Sequence, residues 1–120
     1  MSYAIHLFHP SVKELSKQGR DLDEVERAAF EPDTVSAFLH RLAGYGYSPV
    51  GDTPFGQEFT KSVDSCPIQV LVSSSEITFS VPYSPNASEA IFSALQDASE
   101  LTDRDDLALF NPQEGSWLEV

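Results

Sequence analysis

The chain has 120 residues, the length of one ordinary domain, and 41% of them are hydrophobic, enough for a single core and too many for a disordered chain. Nineteen acidic against seven basic side chains leave a net charge of −12, which argues against nucleic acid or an anionic membrane surface as partner. One cysteine, Cys66, excludes an intrachain disulfide, and no stretch approaches the roughly 18 apolar residues of a membrane span.

The opening MSYAIHLFHPSVKE has no basic leader, and its apolar run is too short for a signal sequence, so the cytoplasm is the expected compartment. Residues 3–8 alternate as a first strand, with Tyr3, Ile5 and Leu7 on one face, and His9-Pro10 ends it because proline has no ladder donor. The polar stretch that follows has helical tendency and breaks at Gly19. Asp21, with Glu24 three residues on, resembles a capping box and opens a short helix to about Ala29. A stronger helix lies in PDTVSAFLHRLAGYGY. Asp33 is its expected cap, Val35, Phe38, Leu39 and Leu42 form its apolar stripe, and Gly44 is its expected left-handed stop. A short strand follows near Tyr47–Val50, GDTPFG reads as a turn, and Gln57–Ser62 reads as an edge strand.

The clearest β signal is PIQVLVSSSEITFSVPY. Pairing Val72 with Ile77 also pairs Val70 with Phe79 and Ile68 with Val81, so six apolar side chains meet on one side of a hairpin. Cys66, just before Pro67, reads as a small packing residue. Asn86 with Glu89, or Ser84 with Pro85, then opens a helix whose buried stripe is Ile91, Ala94, Leu95 and Ala98. Asp97 and Glu100 fall off that stripe. Thr102–Asp106 reads as a solvated connection, and Leu107 and Leu109 alternate into a last strand. This strand turns at Asn111-Pro112 and Gly115 so that Trp117 packs back. The expected fold is a single α+β domain over residues 1–120. Its four- to six-stranded, mainly antiparallel sheet carries two or three helices packed on one face, a ferredoxin-like βαββαβ variant.

No reaction declares itself. His6 and His9 are an odd number of residues apart in a strand and so point to opposite faces, a poor metal pair, and His40 stands alone in a helix. Asp103, Asp105 and Asp106 lack the order of a calcium loop, and Arg104 interrupts them. The Ser73–Ser75 run has no nucleophile-elbow glycines, and Gly44-x-Gly46 ends a helix instead of opening one. No catalytic residue, metal ligand or cofactor site is therefore assigned.

Three phrases and a turn carry a resemblance: the start Met-Ser-Tyr, the helix end Tyr45-Gly46-Tyr47, the strand end Ser80-Val81-Pro82-Tyr83, and a closing turn of Tyr-Asp-Pro-Gln type. Here that turn reads Phe110-Asn111-Pro112-Gln113, so neither its aromatic residue nor its acid is matched. In these phrases, and in size and charge, the chain resembles small acidic bacterial proteins of the toxin-immunity type. The resemblance implies a non-enzymatic protein-binding domain that neutralises a basic toxin by occluding its active site. It carries over no active-site residue. Residues 61–120 alone hold −8 of the charge, so acids near the C-terminal half are the expected contacts: Asp97, Glu100, Asp103, Asp105 and Asp106. Tyr45, Tyr47 and Trp117 are the expected aromatic anchors. The alternative expectation is a regulatory domain that binds a small molecule between sheet and helices.

Overall fold

Alternating apolar and polar residues set most of the architecture. The computed structural model describes residues 2–19, 28–63, 65–105 and 107–117. In chain order it forms β1 (Ser2–Phe8), α1 (Pro10–Lys17), α2 (Pro32–Gly44), β2 (Ser48–Thr53), β3 (Gly56–Val63), β4 (Cys66–Val72), β5 (Glu76–Pro82), α3 (Ala87–Asp105), β6 (Ala108–Asn111) and β7 (Ser116–Trp117). Among the described residues the strands make one sheet of seven in the order β2-β3-β4-β5-β1-β6-β7. Every neighbouring pair is antiparallel. The sheet is thus larger than the four to six strands expected. The extra strand is β7, where Trp117 and Ser116 pair with Phe110 and Asn111 across the closing turn.

The β4–β5 hairpin has the expected register, with Val72 opposite Ile77 and Val70 opposite Phe79. Its inward residues join Ile5 and Leu7 of β1, Phe38 and Leu42 of α2, and Ala90, Ala94, Ala98 and Leu101 of α3 in one core. The alanine stripe of α3 lets that helix lie close on the sheet. Phe8 is on the other face of β1. There it meets Val12 of α1 in a second, smaller cluster with Leu15, Phe110 and Trp117. The helices therefore do not all pack on one face, contrary to the expectation from the sequence. α1 follows β1 after the single residue His9, too short a link to cross the sheet edge, and covers the opposite face at the β1–β6–β7 end.

Several boundaries differ from the sequence reading for local reasons. Pro32 takes the first helical position of α2 and Glu31 precedes it in extended conformation with no side-chain cap, so Asp33 lies inside the first turn and not at the cap. The left-handed stop of α2 lies two residues later than expected. Gly46, not Gly44, has the positive φ of 94°, and Gly46 N donates to Ala43 O while Tyr47 N donates to Leu42 O. This is the two-bond Schellman closure, and it seats Tyr47 in the core beside Leu42. β2 continues to Thr53, leaving only Pro54 and Phe55 as the turn. That makes β2 the edge and β3 an interior strand. The β2 edge is interrupted by Pro49 and a register shift between Pro49 and Gly51, which discourages pairing with another chain. α3 runs through Thr102 to Asp105 where a solvated connection was expected, because Leu101 extends the buried stripe by another turn. The helix expected over Asp21–Ala29 falls mainly on residues 20–27, outside the described residues.

Candidate functional site

The strand β3 places Phe59, Lys61 and Val63 toward the helices, since Phe59 pairs with Val70 and Lys61 with Ile68. A lysine on the core side needs an acid. Asp97 supplies it from the buried stripe of α3: Lys61 Nζ lies 2.7 Å from Asp97 Oδ2. The same ammonium donates to Tyr45 O at 3.1 Å and sits 4.7 Å from the centre of the Tyr47 ring. Tyr47 OH donates to Asp97 Oδ2 at 3.0 Å. Burial first, and the Asp97 carboxylate second, push the Tyr47 phenol well above its usual range.

One turn further along α3, Arg41 of α2 donates to Leu101 O at 3.0 Å and to Glu100 O at 3.1 Å. Tyr45 lies beside Glu100 and Arg41. Loss of hydration, then a hydrogen bond to Glu100, raises its phenol above the ordinary value. Four of the expected contact residues, Tyr45, Tyr47, Asp97 and Glu100, are thus brought together where the C-terminal end of α2 meets β3 and α3. Two cations that the sequence reading did not single out, Lys61 and Arg41, join them. Tyr47 and Asp97 are buried, and their polar atoms are used within the fold. The arrangement ties three elements together through matched charges.

The remaining expected contacts lie apart. Asp103 and Asp105 fall on the last turn of α3, and Asp106 lies outside the described residues. Trp117 is on the far face, half-buried against Phe8 and Phe110 with ring centres 5.9 and 5.0 Å away. Its turn is a structural lock. Pro112 cannot donate to β1, and the Gln113 side chain replaces the missing strand: its Nε2 donates to Ala4 O at 2.7 Å while Ala4 N donates to its Oε1 at 2.9 Å. Buried Asn111 accepts from Gln113 N at 3.1 Å and donates from Nδ2 to Tyr3 OH at 3.0 Å. An aspartate at 111 would also accept from Gln113 N, and the Tyr3 hydroxyl could turn to donate to it, so this position has a structural role in the turn.

The histidines are dispersed. His6 pairs with Glu76 at 2.8 Å on the sheet face opposite α2 and α3, His9 Nδ1 accepts from Ser11 N at the start of α1, and His40 is exposed on α2. Among the described residues no group of three or more His, Cys, Asp or Glu side chains is placed to hold a metal ion. No helix of the described residues is long and apolar enough to cross a membrane. Buried Cys66 has its Sγ 3.2 Å from Ser84 Oγ.

What α3 leaves outside is different in character. Glu89, Phe92, Gln96 and Glu100 follow one another at helical spacing and are all exposed, and Phe92 keeps 66% of its surface in solvent. An exposed aromatic side chain framed by carboxylates is suited to contact and not to chemistry. Comparison with protein-family models, curated proteins and solved structures gives no significant match for this chain.

Proposed function

We propose that the chain is a non-enzymatic binding domain that receives a basic protein on the outer face of α3, in the manner of an immunity protein covering the active site of a cationic toxin. One observation carries this reading: the exposed stripe Glu89–Phe92–Gln96–Glu100, on a chain of net charge −12, with the nearby Lys61 turned inward onto Asp97. Lys61 is engaged by Asp97, so it does little to offset the acids that face solvent, and Arg41 is held on the carbonyls of Glu100 and Leu101 at one end of the stripe, away from Glu89 and Phe92. A field of this sign speeds the approach of a cationic partner, and Phe92 offers it an apolar anchor. A nuclease is a suitable target, because its substrate channel must itself be positive. Asp103 and Asp105, one turn further on, extend the same helix. The strand order β4-β5-β1-β6, with α2 and α3 as the crossovers, supports a ferredoxin-like βαββαβ core to which the β2–β3 hairpin and β7 are added. The test is co-expression with the toxin candidate encoded beside its gene. Protection and a complex at low salt are expected, and the absence of both removes the reading.

A second reading, small-molecule binding between sheet and helices, draws on a cleft of about 610 Å³ where the start of α2 meets the β2–β3 turn. Phe30, Val35, Gln57 and Val72 line it. Thermal stabilisation by a metabolite would favour this reading, and a Val35→Trp variant that blocks the cleft should abolish the effect.

A further inference from the structure

The β2–β3 turn displays an aromatic ring that no core requires. Phe55 keeps 75% of its surface exposed, yet the turn carrying it is firmly held. Thr53 Oγ1 donates to Gly56 O at 3.0 Å and accepts from Phe55 N at 3.1 Å. Gly56 has φ 143° and packs so closely on β4 that a Cβ there would lie 2.2 Å from Val72 O. Little conformational entropy remains for Phe55's backbone to lose on binding.

On the sheet face opposite α2 and α3, Phe55 overhangs a groove of about 470 Å³ whose floor includes Glu58, Gln69, Leu71, Thr78 and Ser80. The groove lining contains no Lys, Arg or His. Glu58 is half-buried, and among the described residues no side chain or backbone group pairs with its carboxylate. A partly desolvated, unpaired carboxylate beside a held aromatic face is complementary to a cation. Between the two protein cations the site favours arginine. A flat guanidinium can stack on Phe55 while its fork meets Glu58, and the Ser80 and Gln69 side chains in the lining offer acceptors for its remaining N–H groups.

We propose that this groove is an arginine-reading site, which takes one arginine side chain from an extended segment of a protein partner between Phe55 and Glu58. It goes beyond the reading of α3: it lies on the other side of the sheet and shares with that reading only the sign of the charge.

The experiment is an NMR titration of the full chain with two blocked peptides, (Gly-Arg)4 and (Gly-Lys)4, at low salt, repeated with Phe55→Ala and Glu58→Gln. The amides of Phe55, Glu58, Leu71 and Thr78 should shift, and the arginine peptide should bind about threefold or more tightly than the lysine peptide, as an exposed cation–π contact allows. Either substitution should remove that preference. Both sites are at the surface, and the unshifted core resonances report that the variants fold. Equal affinity for the two peptides, or a preference that survives Glu58→Gln, overturns the proposal. Shifts confined to Glu89, Phe92 and Glu100 overturn it while leaving the α3 reading intact, and no shift on either face counts against both.

Discussion

Replacing Lys61 by methionine keeps most of the side-chain volume and removes only the charge and its hydrogen bonds. The lost contacts are the 2.7 Å pair with Asp97, the bond to Tyr45 O and the cation above the Tyr47 ring. A fully buried pair broken on one side costs roughly 3–5 kcal/mol, because the other charge is left unpaired. Here the Lys61 and Asp97 side chains are 21% and 12% exposed, so water recovers part of that cost. The expected loss is about 2–3 kcal/mol. With a urea slope near 1–3 kcal/mol/M, the midpoint falls by roughly 1–2 M. Asp97→Asn should cost less, since its side-chain oxygen still accepts from Tyr47 OH. In the double variant the two losses should not add, with a coupling of about 2 kcal/mol. Urea titrations of the four proteins at neutral pH measure it. A Lys61→Met cost below about 0.5 kcal/mol, or simple additivity, would refute the account, because a solvent-screened surface pair behaves that way.

Four further outcomes follow from the same structure. Tyr47 keeps its proton in the folded chain beyond the ordinary value of 10.0, so the unfolded chain loses protons first and stability should fall as pH rises above 10; Tyr47→Phe should flatten that slope in alkaline denaturation curves. Gln113→Ala removes two bonds to the backbone of β1 at an exposed position and should cost about 1–2 kcal/mol by thermal melting. Asn111→Ala should cost more than Asn111→Asp, because the carboxylate still accepts from Gln113 N and the Tyr3 hydroxyl can turn to donate to it. Gly56→Ala, with its Cβ 2.2 Å from Val72 O and a φ that side chains avoid, should lose roughly 3 kcal/mol or more; a loss below 1 kcal/mol would mean the turn is not held as described.

The strands that alternate cleanly could be read in the sequence, down to the pairing of Val72 with Ile77 and Val70 with Phe79. Alternation fixes which face a residue occupies, and the hairpin loop fixes register. The face chosen by α1 could not be read, because it depends on Phe8 and Phe110 pointing away from the main core, a relation between residues a hundred positions apart. A stripe drawn through Ile91, Ala94, Leu95 and Ala98 leaves Asp97 off it. Its spacing from Ala90, Ala94 and Leu101 places it on the stripe, and the lysine between Phe59 and Val63 shows why an acid is tolerated there. That pairing was available from two parities read together, and from neither alone. Gln113 gave no signal, since a side chain standing in for a strand has no sequence pattern. Phe55 read as part of a turn. Only its exposure, and a Glu58 in the same groove lining without a partner among the described residues, set it apart.

The central claim is that the outer face of α3 receives a basic protein. Its most direct test is the affinity of the purified chain for the toxin candidate encoded beside its gene, measured from 50 to 300 mM salt with the wild type and with Glu89→Lys/Phe92→Ala. The account predicts a one-to-one complex whose association slows steeply with salt and which the double substitution weakens at least tenfold. A complex indifferent to both salt and these two residues would contradict it.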